Sequence, residues 1–540
     1  MAHVRYLADD LLEGRAVATR GERCAGDYVA ARFHDLGLRP AGDADSYFQA
    51  WMVRTGSALG EGSEFALGDD IAAEFTVGGD WTPYGFSAST RVRAPMTLVP
   101  RVAAAQPGGA TRAGVAGRAM VIEGTAIHPH AAPPDAHRVA SSAAAMGAAA
   151  LVVLLGPPDP LPSLGAERRA ALAIPVIAVR GDAADRVRRA AASGAAATIA
   201  TAVEPVRREA RNVAAVLPGT DPHAGQTLVI GAHYDHLGFG GAGSLSPNAP
   251  GEVHNGADDN ASGTAVLIEA ARRLAEGPPL AQDVLFIAFT GEERGLWGSA
   301  HYVESPLRPL EGTVAMLNLD MVGRVSDDLL TVFGTGTAEE WTGILSRANG
   351  RMRAPLDLHF NSDGFGASDH SSFYARGIPV LHLFSNTHPE YHRVEDDWEL
   401  VNAAGMARVT ALVTEVVREV VPASGLAALT PVERVGNPHG VGDGRTVRFR
   451  VRLGTIPDYS RESGGMAIAG VRDGSPAAKA GLMGGDVIVK FGPHDIEDVY
   501  GYMYALGEFE AGDEVEIVVL RDGKRLVFKA VLEAGGGWGN

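Results

Sequence analysis

Five short stretches of this sequence carry acid and imidazole side chains where apolar runs end. "GAHYDHLG" offers His233 and Asp235, and "HNGADDNASG" offers Asp258 and Asp259. "TGEERG" offers Glu292 and Glu293, "NLDMVG" offers Asp320, and "PEYHRVEDD" offers His392. Two histidines and at least three carboxylates on one edge would repel one another strongly without cations. Imidazole and carboxylate together favour zinc, or else manganese or cobalt. A shared carboxylate could bridge two ions ~3.5–4 Å apart, as in two-metal hydrolases. The adjacent glutamates fit that scheme: one binds a metal while its neighbour handles protons, and the metal charge offsets their repulsion.

Each residue alone has a plainer reading. Asp259 could cap a helix, Asp320 could serve a turn, and Glu292 and Glu293 could be solvated. Their joint order on alternating strands favours the metal reading. His388 and His392 stand four apart, but Pro389 between them disfavours a helical zinc pair. HExxH and GxSxG are absent, so helix-borne zincin chemistry and a serine elbow have no support.

These residues need elements to bring them together. From about residue 211, "TLVIGAHYDH", "DVLFIAFTGEE", "GTVAMLNLDMVG" and "GIPVLHLFS" read as strands. "SGTAVLIEAARRLAEG" and "AAGMARVTALVTEVVREVV" read as helices. Such alternation predicts an α/β fold with a largely parallel sheet, whose ligands bind beyond the carboxyl ends of the strands.

"HYDHLG", "NGADDNASG", "FTGEERGLWGS", "NLDMVGR" and "EYHRVEDD" together resemble, in order and spacing across about 210–420, the motif series of the di-zinc aminopeptidases of metallopeptidase family twenty-eight. The resemblance implies a mixed, mostly parallel sheet sandwiched by helices, two zinc ions per chain, and hydrolysis of the N-terminal peptide bond by a metal-bridging hydroxide. It implies that His233 and Asp320 bind one zinc, Glu293 and His392 the other, and that Asp259 bridges them, leaving Asp258 as a neighbour only. Glu292 would be the general base, Asp235 would hold His233, and Tyr391 would stabilise the oxyanion. "SDHSSFYARGIP" is also similar to a recurrent family segment, with no chemistry assigned to Asp369 or His370. His236 and His254 are expected in supporting or loop roles rather than as ligands. Rival readings within the family are a glutamate carboxypeptidase-type enzyme, which needs arginines such as Arg324 or Arg376 for the terminal carboxylate, and a receptor or scaffold without activity. Glutaminyl cyclisation is a more distant one.

The flanks extend the resemblance. Residues 1–90 are similar to the N-terminal segment of family members with an inserted protease-associated domain, which places that small β-rich α/β insert at 91–205. The catalytic domain is expected at 206–421 and a linker at 422–444. The β-rich unit at 445–535 resembles a PDZ domain: "RVRLGTIPDY" suits a carboxylate-binding loop, and "GSPAAKAGLMGGDVIVKFG" is close to the PDZ pattern of bacterial proteases. A C-terminal peptide is its expected partner. The tail "GGGWGN" reads as disordered.

The bounds agree. The chain has 540 residues, room for about three domains at ~100–200 residues each. With 65 acidic and 47 basic residues its net charge is -18, which disfavours nucleic acid or an anionic membrane as partner and suits divalent metal. Cys24 is the single cysteine, which excludes an intrachain disulfide and a thiolate zinc site. Apolar runs fall short of the ~18 residues of a membrane span. His128, His130 and His137 lie in a Pro-rich stretch and are expected to be solvated loop residues. The stretch "MAHVRYLADDLLEGR" has neither a basic n-region nor an apolar h-region. Export with the leader removed is the expectation, with a cytoplasmic location left open.

Overall fold

Apolar side chains alternate along the strand Thr227–His233, and each set packs into a different core. Leu228, Ile230 and Ala232 enter one; Val229 enters the other. Val284, Phe286 and Ala288 join the first set, while Leu285, Ile287 and Phe289 join the second. Strands apolar on both sides must be covered on both faces, and fully burying each Leu, Ile, Val or Phe is worth ~1.5–3 kcal/mol. The computed structural model describes the chain except residues 69–74, 100–111, 125–135, 157–158, 166–170, 222–224, 242–243, 247–248, 423–428, 433–450, 459–464, 472–473, 497–501, 503–504, 507–508, 522–523 and 535–540.

The strands that position the site are β1 (Val203–Leu217), β2 (Thr227–His233), β3 (Asp283–Phe289), β4 (Thr313–Leu319), β5 (Leu329–Phe333), β6 (Asp357–Phe360) and β7 (Val380–Phe384). Their order is β1-β3-β2-β4-β7-β5-β6, with short Arg39–Pro40 beside β1. β2 runs parallel to β3 and β4, and β4 parallel to β7; β1 and β5 are antiparallel to their inner neighbours. The sheet is thus mixed and mostly parallel, as expected. The helices are α1 (Arg20–Asp35), α2 (Gly263–Ala275), α3 (Trp297–Glu304), α4 (Trp341–Gly350), α5 (His370–Tyr374) and α6 (Ala403–Val420). α1, α2, α4 and α6 fill the first core, and α3 and α5 the second.

The chain divides into two compact units, Met1–Trp51 with Ala210–Asn540, and Met52–Glu209. This moves the expected boundary at 90/91. Strands Glu64–Leu67 and Trp81–Pro83 pair in the second unit's own sheet, and Phe65, Phe75 and Trp81 fill its core, so residues 52–90 belong there. His137 also departs from expectation: it lies on the helix Ala136–Ala145 and meets Phe86 edge-on at 4.9 Å. His128 and His130 fall outside the described residues.

The C-terminal part forms its own small β sheet, from Thr455–Asp458 through Met466–Val471, Val487–Phe491 and Glu514–Arg521 to Lys524–Val531, over a core that includes Ile468, Ile488, Phe491 and Ile517. Most of the expected linker lies outside the described residues, but 429–432 does not behave as a linker. Thr430 bonds Glu340 through its amide and hydroxyl, the Val432 amide reaches the Thr337 carbonyl, and Leu429 packs on the first core. Among the described residues no helix is long and apolar enough to cross a membrane.

Candidate metal centre

Parallel strands bring their carboxyl ends to one edge. His233 closes β2, Asp320 follows β4, the two glutamates come three residues past β3, and Asp259 lies just before α2. His392 arrives on the loop after β7. All five expected ligands meet at this edge.

Their spacing suits ions. His233 Nε2 lies 3.2 Å from Asp259 Oδ1 and 3.2 Å from Asp320 Oδ1. His392 Nε2 lies 3.1 Å from Asp259 Oδ2 and 3.3 Å from Glu293 Oε2. Donors ~2.0–2.2 Å from a tetrahedral ion stand roughly 3.3–3.5 Å apart, so each group could close on one ion. Asp259 gives one oxygen to each group. Glu292 Oε2 is 3.9 Å from His233 Nε2, farther than the carboxylates of Asp259 and Asp320.

The supporting residues are backbone clasps. Asp396 Oδ2 accepts the amides of both Asp258 and Asp259, at 2.9 and 3.1 Å. Asn260 donates to the Leu319 carbonyl and accepts the Gly263 and Met321 amides, tying the Asp259 loop to the flanks of Asp320. Ser368 donates to Asp320 Oδ2 at 2.7 Å, and Thr264 to the His233 carbonyl at 2.8 Å. Asp258 turns away, accepting the Gly323 amide and facing His388, in keeping with its expected place as a neighbour. The sequence reading missed Asp396, Asn260 and Ser368. Each lies inside a quoted motif, but a bond to a backbone amide, or from Ser368 to a carboxylate on another strand, leaves no periodicity to read.

Two expected roles look different in the structure. The Asp235 carboxylate is 3.7 Å from His233 Nδ1, while its own backbone carbonyl is nearer, at 3.2 Å. The carboxylate instead accepts the Glu292 amide at 3.1 Å. His236, expected in a supporting role, reaches Glu293 Oε1 with Nδ1 at 2.7 Å and Asp259 Oδ2 at 3.9 Å, so it too meets the spacing of an ion site. His254 pairs with Ser244 and the Glu252 carbonyl instead.

The electrostatics are those of carboxylates and imidazoles crowded together out of water. Burial alone would lower His233, but the carboxylates of Asp320 and Glu292, with those of Asp235 and Asp259 close by, lift it well above the usual histidine value. Burial opposes the charge on Asp259, yet His233, His392 and His236 hold it well below the carboxylate range. Burial lifts Glu292 far above that range, aided by Asp320, Glu293 and Asp369. Burial also lifts Asp369 to about 7 and Tyr391 well above a free phenol. Tyr391 stacks on His392 with ring centres 3.9 Å apart. A dication among these groups would reverse the penalty on each carboxylate.

Residues 212–417 match the model "Peptidase family M28", and 447–532 match "PDZ domain". Aminopeptidase YwaD of Bacillus subtilis (strain 168) is 31% identical over 205 residues, covering 36% of this chain and 41% of that protein. A probable leucine aminopeptidase of Trichophyton verrucosum (strain HKI 0517) is 29% identical over 204 residues, 34% of this chain and 49% of that one. The chain therefore spans less than half the length of these curated relatives. An aminopeptidase structure from Aneurinibacillus sp. strain AM-1 aligns at TM-score 0.46 and 22% identity, covering 80% of this chain and 97% of that one. A zinc aminopeptidase structure from Bacillus subtilis aligns at 0.47 and 22% identity, covering 78% of this chain and 94% of that one. The chain thus carries a peptidase family M28 domain over 212–417, followed by a PDZ domain over 447–532.

Proposed function

We propose that this protein is a two-zinc aminopeptidase that removes the first residue of peptides with a free N-terminus. The observation that carries this is Asp259: one oxygen faces His233 with Asp320, and the other faces His392 with Glu293. His233, Asp320 and Asp259 would hold one ion; Glu293, His392 and Asp259 the other. His392 is chosen over His236 because it sits close to both carboxylates, whereas His236 bonds Glu293 alone. When bound, zinc supplies a polarising Lewis acid and an acidified water.

The chain's own groups do the rest. Glu292, held by its amide on Asp235, takes a proton from the attacking water and returns it to the leaving amine. Tyr391 keeps its proton and can donate to the carbonyl oxygen as that oxygen gains charge. The surplus of carboxylates attracts the substrate's α-ammonium. Met321, Phe333 and Phe384 form a buried apolar cluster with Tyr391 packed against it, and an apolar first residue of the substrate would suit a site next to that cluster.

The carboxypeptidase alternative loses its arginines. Arg324 is engaged with Asp396 at 3.2 Å and faces Glu390 at 3.7 Å. Arg376 lines a pocket with Gln226, Glu311 and Thr313, at the amino ends of β2 and β4 and so at the opposite edge of the sheet. The second unit, with its own core, is read as the protease-associated insert. The PDZ domain is read as a holder of peptide C-termini at "RLGT", where Gly454 takes φ +86° and a Cβ would strike Ser475.

Elemental analysis and a panel of free and N-acetylated aminoacyl anilides test the proposal. Two zinc ions per chain, loss of activity on chelation, and cleavage of free substrates alone are expected. One ion with full activity would defeat the two-metal mechanism. Cleavage of acetylated peptides ending in Glu would favour the carboxypeptidase.

A further inference from the structure

Beneath the metal centre lies a cation that the proposed chemistry does not use. Arg15 belongs to the N-terminal stretch "DDLLEGR" and is fully buried. Its Nε donates to the Tyr234 carbonyl at 2.8 Å, Nη1 to the Asn255 carbonyl at 2.7 Å, and Nη2 to the Gly256 carbonyl at 3.0 Å. Nη1 also donates to the Leu7 carbonyl. Tyr234 lies between His233 and Asp235, and Asn255–Gly256 lead directly into Ala257, Asp258 and Asp259. One planar guanidinium therefore joins the loop of the first imidazole to the loop of the bridging carboxylate.

We infer that Arg15 is a positioning residue for the metal centre: its fork fixes His233 and Asp259 relative to each other, so that their donor atoms stand at ion-binding distance before any ion arrives. This rests on the two-metal reading of the site.

Further observations support it. The turn around Arg15 is docked by its backbone: the Gly238 amide bonds the Gly14 carbonyl at 2.9 Å, and the His236 amide bonds the Arg15 carbonyl at 3.2 Å. Gly14 has φ +63°, and a Cβ there would lie 2.5 Å from the carbonyl oxygens of Gly238 and His254, so only glycine allows the approach. Arg15 itself is held at φ 51°, a strained conformation that persists where its surroundings dictate it. Asn255 is gripped separately, donating to Asp10 at 2.8 Å and Asp397 at 2.9 Å. Burial brings the guanidinium down to about 10, while Asp235, Asp259, Asp396 and Glu293 hold it up, so it stays charged at neutral pH. Lysine would keep a charge but not the planar fork that spans several carbonyls.

The test uses the full chain with Arg15→Lys and Arg15→Met. Zinc affinity is read by chelator competition, ligand geometry by the visible spectrum of the cobalt-loaded protein, and folding by thermal unfolding of the metal-free protein. Both variants should fold and bind zinc roughly 10–100-fold more weakly, as loss of an outer partner of metal ligands typically does. The cobalt spectrum of Arg15→Lys should shift. If folded Arg15→Lys binds zinc like the wild type with an unaltered spectrum, the inference is overturned. If neither variant folds, Arg15 supports the fold as a whole rather than the geometry of the centre, and the inference is overturned. A wild-type protein that binds no zinc removes the two-metal reading and this inference with it. Wild-type binding with unaffected variants removes only the inference.

Discussion

Asp259 offers one oxygen to His233 and the other to His392, and this division separates the two neighbouring glutamates. Glu293 stands within 3.3 Å of His392, while Glu292 hangs from Asp235 by its amide and is pushed toward its protonated form by burial. Glu292→Gln should keep metal and fold yet lose roughly 10²–10⁴ in kcat, the usual worth of a general base. Glu293→Gln should instead lower metal content, read by elemental analysis. The opposite pattern would exchange the two roles. The candidate ligands were legible because carboxylates at the ends of apolar strands are conspicuous. Asp396 and Asn260 were not, because an acceptor for a backbone amide looks like any polar loop residue. His236 was underread because two imidazoles three residues apart give no hint of which one turns inward.

Strands β2, β3 and β4 were legible at the scale of elements, since a run such as Val284–Phe289 has no polar face to show water. The start of α1 was less so. Glu22 sits in its first turn yet is fully buried, with its carboxyl against the Tyr234 hydroxyl. That hydroxyl also lies 2.6 Å from the Arg211 carbonyl. One phenolic proton cannot serve both acceptors. A protonated Glu22 can donate to Tyr234 while Tyr234 donates to Arg211, which completes the chain. Burial accordingly raises Glu22 to about 7, against ~4.3 in an unfolded chain. Between those values the folded protein binds more protons than the unfolded one, so this group's stabilisation is full below pH ~4.3 and falls as pH rises to about 7. The difference is on the order of 3 kcal/mol. Glu22→Gln should therefore gain stability over wild type at pH 8 relative to pH 5, measured by urea unfolding. Parallel pH curves for the two proteins would rule this out.

The peptidase domain and the PDZ domain after it were legible along the chain, but the joints were not. The strand pairing that draws residues 52–90 into the second unit is long-range, and nothing in the local pattern announces it. The contacts of 429–432 with Thr337, Glu339 and Glu340 are likewise invisible in a stretch of small residues and prolines. They relocate the cut for a truncation. Ending the chain after Val432 should leave anilide hydrolysis nearly intact, because the centre is complete by Asp396. Ending it at 422 should lower the melting temperature by removing Leu429 from the core and leaving Thr337 and Glu340 without their partners. A Val432 truncation that keeps its metal but loses anilide cleavage would show that the PDZ domain helps build the catalytic site.

The grip of Arg15 on Gly256, 241 residues further on, has a consequence for the order of events during synthesis. Closing contacts that distant costs loop entropy before it brings any reward, so they form late. His392 is more distant still. A nascent chain thus carries its first imidazole long before it has the rest of the pair, and zinc has no finished cage to enter until the peptidase domain is nearly whole. Stopped-flow refolding with and without zinc should share its early phases and diverge only in the last. A zinc-accelerated first phase would mean that a partial cage captures the ion and organises the chain around it.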